Sequence, residues 1–148
     1  MKRLRKFLGL PVFDQAILIS SALLILVIRL GLLLLSFGNM CHLLVRLQRI
    51  RTRPSGVQIK SAGQRIVWSL EMVGRFMLGT RNCLAQAMAA RVLLEWWGKP
   101  GHVCIGVARG GDGELKAHAW VEGDDAVIMG GTDVSGYTPL LVLEGEIR

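Results

Sequence analysis

Two residues, a cysteine and a histidine, have the types and surroundings that nucleophilic catalysis requires. Cys83 follows Gly79-Thr80-Arg81-Asn82, where a loop is expected to become a helix. A thiol in the first helical turn feels the partial positive charge of the helix N-terminus, and the unpaired N–H groups there favour the thiolate. His118 lies in an alternating segment, residues 115–122, that is typical of a β-strand. The pair predicts a thiolate nucleophile and its base.

A third group is needed to orient such a base. The hairpin that follows His118 should bring residues 129–133 opposite the imidazole, and Asp133 is the carboxylate in that window. A simple register places Gly130 opposite His118, so a bulge at Gly130-Gly131 is needed to bring Asp133 closer. The sequence thus predicts a Cys83, His118, Asp133 triad.

The other two thiols are predicted to be structural. Cys104 and its neighbour His102 lie in an apolar strand pattern, and Cys41 and His42 lie in the N-terminal region. Three cysteines without a Cys-x-x-Cys spacing argue against a disulfide scaffold or a zinc site. We expect free thiols in a reducing, cytoplasmic compartment, and no metal or other cofactor follows from the residues.

The chain is long enough for one compact domain, and its apolar and basic residues are concentrated near the N-terminus. The 148 residues are 51% hydrophobic, with a mean hydropathy of +0.43, and the apolar excess is concentrated in residues 16–47. Most of the net charge of +7 lies in the first third of the chain. Basic residues beside an apolar stretch indicate a membrane surface or a protein partner, because nucleic-acid binding favours aromatic residues between the cations.

Asp14 is expected to cap a helix that contains the apolar run at residues 16–37, and this run has three interpretations. It is long enough to span a bilayer, although Arg29 near its middle would cost about 3 kcal/mol. It is too long for a signal peptide and lacks a small-residue cleavage site. It could also be a helix packed on protein, with Arg29 paired or reaching water. Basic residues flank both ends, so the orientation in a membrane is undecided.

The remaining elements predict an α+β fold. Helices are expected at residues 39–50, at 64–78 and from Cys83 to about Trp97, the last capped by Asn82 and stopped by Gly98. Strands are expected at 102–107, 115–122, 126–129 and 140–143. Residues 51–63, with Pro54-Ser55-Gly56, suggest a boundary between an N-terminal helical region, 1–55, and the domain at 56–148. The central helix should pack on one face of the sheet.

These motifs resemble a known family. Residues 82–87, the Leu93-Leu94 pair and above all Ala-His-Ala-Trp-Val-Glu at 117–122 are similar to the cysteine peptidase of lasso peptide biosynthesis. The resemblance covers about residues 66–129. It implies a transglutaminase- or papain-like core that removes the leader from a ribosomally made precursor. By position, the nucleophile would be Cys83, the base His118 and the acidic member Asp133.

The resemblance also implies partners. The N-terminal region lacks strands, so the chain is similar to the split form that needs a separate leader-binding protein, and the lasso cyclase is a further candidate partner. Leucine-rich N-terminal regions of the split form favour protein docking over a bilayer span for residues 16–47, with membrane association still open. Two other functions compete: transglutaminase-like acyl transfer to an amine, and a non-catalytic, membrane-associated interaction domain.

Overall fold

The computed structural model describes residues 2–50, 59–77, 83–124, 126–131 and 133–144. Within these ranges the helices come first, followed by the strands. The helices are α1 (Lys2–Leu8), α2 (Val12–Leu34), α3 (Phe37–Arg49), α4 (Ile59–Met77) and α5 (Cys83–Trp96). The strands are β1 (His102–Arg109), β2 (Leu115–Glu122), β3 (Val127–Met129) and β4 (Thr138–Leu143).

The strands form one antiparallel sheet in the order β3-β2-β1-β4. β1 and β2 form a regular hairpin in which Gly106 pairs with His118. β4 crosses to the far edge and pairs with β1. The predicted α+β class is confirmed: β1, β2 and β3 are sequential neighbours in the sheet, and β4 extends it on the β1 side.

α5 is the central helix and is buried almost throughout. Its alanines allow close approach of neighbouring elements, and it contacts β2, α4 and α2. The helix stops as predicted, since Gly98 has a φ of +69° and the Lys99 N–H donates to the Leu94 carbonyl at 2.9 Å. The predicted cap, Asn82, lies outside the described residues. The buried residues of α5 are Ala85, Ala87, Met88, Ala89, Ala90, Arg91, Val92, Leu93 and Leu94.

α2 packs one side against α4 and α5. Ile25 and Ile28 are fully buried there, and the hydroxyls of Ser21 and Ser69 share a buried 2.7 Å hydrogen bond. This buried pair connects α2 to α4, because removal of one hydroxyl would cost the other this hydrogen bond. The predicted boundary between residues 55 and 56 lies outside the described residues.

The other side of α2 carries a stripe of exposed apolar side chains. α2 has the length and composition to cross a bilayer, and 33% of its most apolar window is buried against the protein. Arg29 Nη1 is buried and has no hydrogen-bond partner among the described residues. The helix begins at Val12 after Pro11, so the predicted cap at Asp14 is wrong, and Asp14 instead pairs with Arg65 at 2.9 Å. The exposed stripe comprises Ile19, Leu23, Leu26, Val27, Leu30, Leu33 and Leu34.

Candidate active site

Cys83 is the first residue of α5 and is partly exposed. The middle of α5, from Ala87 to Leu94, is buried, so the fold anchors the helix and directs its N-terminal end toward a cavity of about 480 Å³. The first N–H groups of a helix have no intrahelical acceptor and are available to an anion. The same cavity is lined by His118 of β2. The fold therefore brings together the predicted nucleophile and base.

The imidazole of His118 is held by a backbone carbonyl. Its Nε2 lies 2.5 Å from the carbonyl oxygen of Gly130. A carbonyl can only accept a hydrogen bond, so Nε2 carries the proton and Nδ1 of the neutral ring has the free lone pair. This arrangement selects the nitrogen that can act as a base.

Two aromatic side chains flank the imidazole. Trp120 stacks with it at a centroid distance of 6.1 Å and an interplanar angle of 20°, and Tyr137 lies at 5.3 Å and 40°. Trp120 is 1% exposed, and its indole N–H donates to a carboxylate oxygen of Glu122 at 2.7 Å. A satisfied, buried indole is rigid, so the base rests against a fixed surface.

The pairing of β2 with β3 differs from the simple register. Val121 pairs with Met129, whereas Glu122 pairs with Val127, so Ile128 is the extra residue of a bulge. The predicted bulge at Gly130-Gly131 is therefore misplaced by two residues. Both glycines nevertheless have positive φ angles, +108° and +105°, and turn the chain away from the sheet edge next to His118.

Asp133 lies beyond this turn and is exposed. Its carboxylate accepts hydrogen bonds from the hydroxyl of Ser135 at 2.6 Å and from the Ser135 N–H at 3.3 Å. These bonds lower the pKa of Asp133 below its usual value. Among the described residues, the group hydrogen-bonded to His118 is Gly130 and not Asp133. The role of Asp133 as the acidic member stays a prediction.

A family model for the transglutaminase-like superfamily matches residues 24–142. This match covers most of the chain, including Cys83 and His118. The chain belongs to the transglutaminase-like superfamily. The superfamily includes cysteine peptidases and acyltransferases. No curated protein and no solved structure matches the chain.

The other thiols of this transglutaminase-like protein are buried. Burial raises the pKa of Cys104 to about 11, and Glu122 adds to the shift. Burial also raises the pKa of Cys41, although the nearby Arg91 opposes it. Both groups therefore favour the neutral, unreactive thiol. Among the described residues, no group of three or more His, Cys, Asp or Glu side chains could hold a metal ion.

Several residues of the site are missing from the sequence prediction. Gln86 lies one helical turn after Cys83 and lines the cavity, where its amide rests against Gly74 of α4. The i, i+3 spacing from Cys83 was the available signal for Gln86. The simple register places Gly130 opposite His118, but no local pattern marks the hydrogen bond to its carbonyl or the contact of Tyr137 with the imidazole. Both contacts depend on the path of the segment after β3, which is a tertiary feature.

Proposed function

We propose that this transglutaminase-like protein is a cysteine peptidase that removes the leader from a lasso peptide precursor. The observation that carries the proposal is that Cys83, at the start of a buried helix, and His118, with a defined basic nitrogen, line one cavity. The resemblance of residues 82–87 and 117–122 to the lasso peptidases supplies the substrate class.

The geometry supports an acyl-enzyme mechanism. Nδ1 of His118 takes the thiol proton, and the Cys83 thiolate attacks the carbonyl carbon of the scissile bond. The proposed donors to the oxyanion are the backbone N–H groups at the start of α5 and the amide of Gln86, which lines the same cavity as Cys83. The protonated imidazole then gives its proton to the leaving amine, and the C–N bond breaks. Water, deprotonated by the same nitrogen, hydrolyses the thioester and restores the thiol.

Two groups are candidates for the third member of the triad, and they differ in charge. The Gly130 carbonyl fixes the tautomer of His118 but is neutral, so it stabilises an imidazolium less than a carboxylate would. Asp133 has the charge, and its bonds with Ser135 shape the turn that leads to Tyr137. We propose Asp133 as the acidic member, and its effect on turnover should be smaller than that of the other two residues.

The proposed partner is a separate leader-binding protein. The exposed apolar stripe of α2 supports an apolar contact with this partner, and the exposed Arg46 and Arg49 in the last turn of α3 support a contact with acidic residues. The lasso cyclase is a second proposed partner. We propose a cytoplasmic location, because three cysteines without a pairing pattern favour a reducing compartment. Association with a membrane through residues 16–47 is the competing proposal.

Acyl transfer to an amine is the alternative activity. The first half of the mechanism is the same, and only the group that attacks the thioester differs. Mass spectrometry separates the two outcomes, because hydrolysis gives a free carboxylate on the released leader and transfer gives an amide. The superfamily membership supports either outcome equally.

The test combines the purified chain, a leader-binding protein and a precursor peptide, with products read by mass spectrometry. We expect cleavage between leader and core, loss of cleavage in Cys83→Ala and His118→Ala, and a smaller loss in Asp133→Ala. Cys104→Ala is the matched control, because it removes a buried thiol outside the cavity. Full cleavage by Cys83→Ala would end the proposal. Iodoacetamide labelling of Cys83 across pH identifies the non-catalytic alternative, in which Cys83 titrates like an ordinary thiol near pH 8.5.

A further inference from the structure

A second cavity adjoins the one that contains Cys83 and His118. It has a volume of about 310 Å³, and Glu71 of α4 lines both cavities. On the opposite wall, Ile128 lines the second cavity and the next residue, Met129, lines the first. The two cavities therefore form one groove between α4 and β3, which we call the α4–β3 groove.

The lining of the groove away from Cys83 is mostly apolar, with Gln64 and Glu71 as its polar members. Val67, Trp68 and Ile128 line the second cavity. Trp68 is 39% exposed although it is the largest apolar side chain of α4. An indole held at the surface of a concave site is a typical anchor for an apolar ligand group.

Charges are distributed along the groove. Glu71 lies at the junction of the cavities, is exposed, and has no hydrogen bond or ion pair among the described residues. Arg75 lines the cavity at the Cys83 end. At the other end, the Lys99 side chain approaches Gly63, with Nζ 3.6 Å from the position that a Cβ there would take. The unpaired carboxylate at the junction favours a cationic ligand group.

The shape fits an extended polypeptide. The groove follows α4 from Gly63 to Gly74, which corresponds to roughly 16 Å at 1.5 Å per residue. An extended chain covers that length with about five residues. β3 is an edge strand of the sheet, so one side of its backbone can pair with an added strand.

We propose that the α4–β3 groove binds about five residues of the substrate polypeptide on one side of the scissile bond. An apolar side chain occupies the second cavity against Val67, Trp68 and Ile128, and a neighbouring basic side chain faces Glu71. This inference rests on the proposed peptidase function and assigns it a sequence preference.

Epoxysuccinyl peptides test the groove, because they alkylate a reactive thiol and can extend the peptide on either side of it. Two series of these peptides would extend from the reactive group in opposite directions. Within each series, one position at a time would carry either Leu or Ser, or either Lys or Glu. The rate of Cys83 modification is read by intact-mass spectrometry. For one direction we expect Leu to react about tenfold faster than Ser at one position, and Lys about fivefold faster than Glu at a neighbouring position.

Variants connect these preferences to the groove. Trp68→Ala should remove most of the Leu preference, and Glu71→Gln should remove the Lys preference. Rates are normalised to iodoacetamide labelling of the same variant, which corrects for changes in Cys83 itself. Leu140→Ala, at a residue that is 67% exposed on β4, is the matched control and should keep both preferences.

Three results would overturn the inference, and they are distinguishable. Fast, Cys83-specific modification that ignores the peptide side chains, or preferences that persist in both groove variants, would overturn the groove alone. A Cys83 that reacts with iodoacetamide as an ordinary thiol and with none of the peptides would overturn the peptidase function and the groove together.

Discussion

Substitution of Gly130 should damage both the stability of the fold and the base. Gly130 has a φ of +108°, and a Cβ there would lie 2.6 Å from Trp120 Cβ and 2.8 Å from Trp120 Cα. The unfavourable backbone conformation costs an L-residue about 1–3 kcal/mol. The contact adds about 1–3 kcal/mol, because atoms so close to the main chain cannot rotate away. Gly130→Ala should therefore lower the free energy of unfolding by roughly 2–6 kcal/mol.

Gly131 provides a matched control for this prediction. Its φ is +105°, close to that of Gly130, but a Cβ there would have no atom within 4 Å. Gly131→Ala should therefore lower the free energy of unfolding by only the about 1–3 kcal/mol that the unfavourable backbone conformation costs. Urea unfolding, followed by tryptophan fluorescence, measures both losses. The difference between the two variants isolates the contact with Trp120.

The same pair of variants tests the role of the Gly130 carbonyl. Relief of the contact in Gly130→Ala must shift the main chain, and the carbonyl then leaves its position 2.5 Å from His118 Nε2. Cleavage, measured where both variants are folded, should fall further in Gly130→Ala than in Gly131→Ala. Equal stability losses, or a Gly130→Ala variant as active as the unchanged protein, would refute the reasoning.

Two further predictions concern α4 and Cys104. Gly63→Ala should raise the free energy of unfolding by about 0.5–1 kcal/mol, since its Cβ would meet Lys99 at an ordinary 3.4 Å. Gly74→Ala should not raise the free energy of unfolding, because its Cβ would displace the side chain of Gln86. It should lower the rate of cleavage at least about tenfold, and a rate equal to that of Gly63→Ala would contradict this. The pKa of Cys104 is raised from about 9 to about 11, so its neutral thiol stabilises the fold below pH 9. The free energy of unfolding, measured by urea titration, should therefore fall as the pH rises from about 9 to about 11. An equal fall in Cys104→Ala would contradict the assignment.

The bounds of individual helices and strands can be predicted from the sequence better than the contacts between them. α5 and β2 were predicted within a residue or two, because their residues carry complete local signals: a stop at Gly98 and an alternating strand around His118. The start of α2 at Val12 lies before the predicted cap at Asp14, because Pro11 is itself compatible with a helix start. The pairing of β4 with β1 has no signal in the sequence. An edge strand carries no local mark of which neighbour it pairs with.

The sequence alone determined the chemical types of the site and their order. Cys83 at a helix start and His118 on a strand are local features, and a buried helix against a sheet is enough to bring such positions near each other. Only the tertiary structure decided how the imidazole is held. The bulge at Ile128 and the positive φ angles of Gly130 and Gly131 set the path of the following segment, which delivers a carbonyl and Tyr137 to His118. These contacts join residues from separate elements, and strand register after a bulge depends on packing that no single segment encodes.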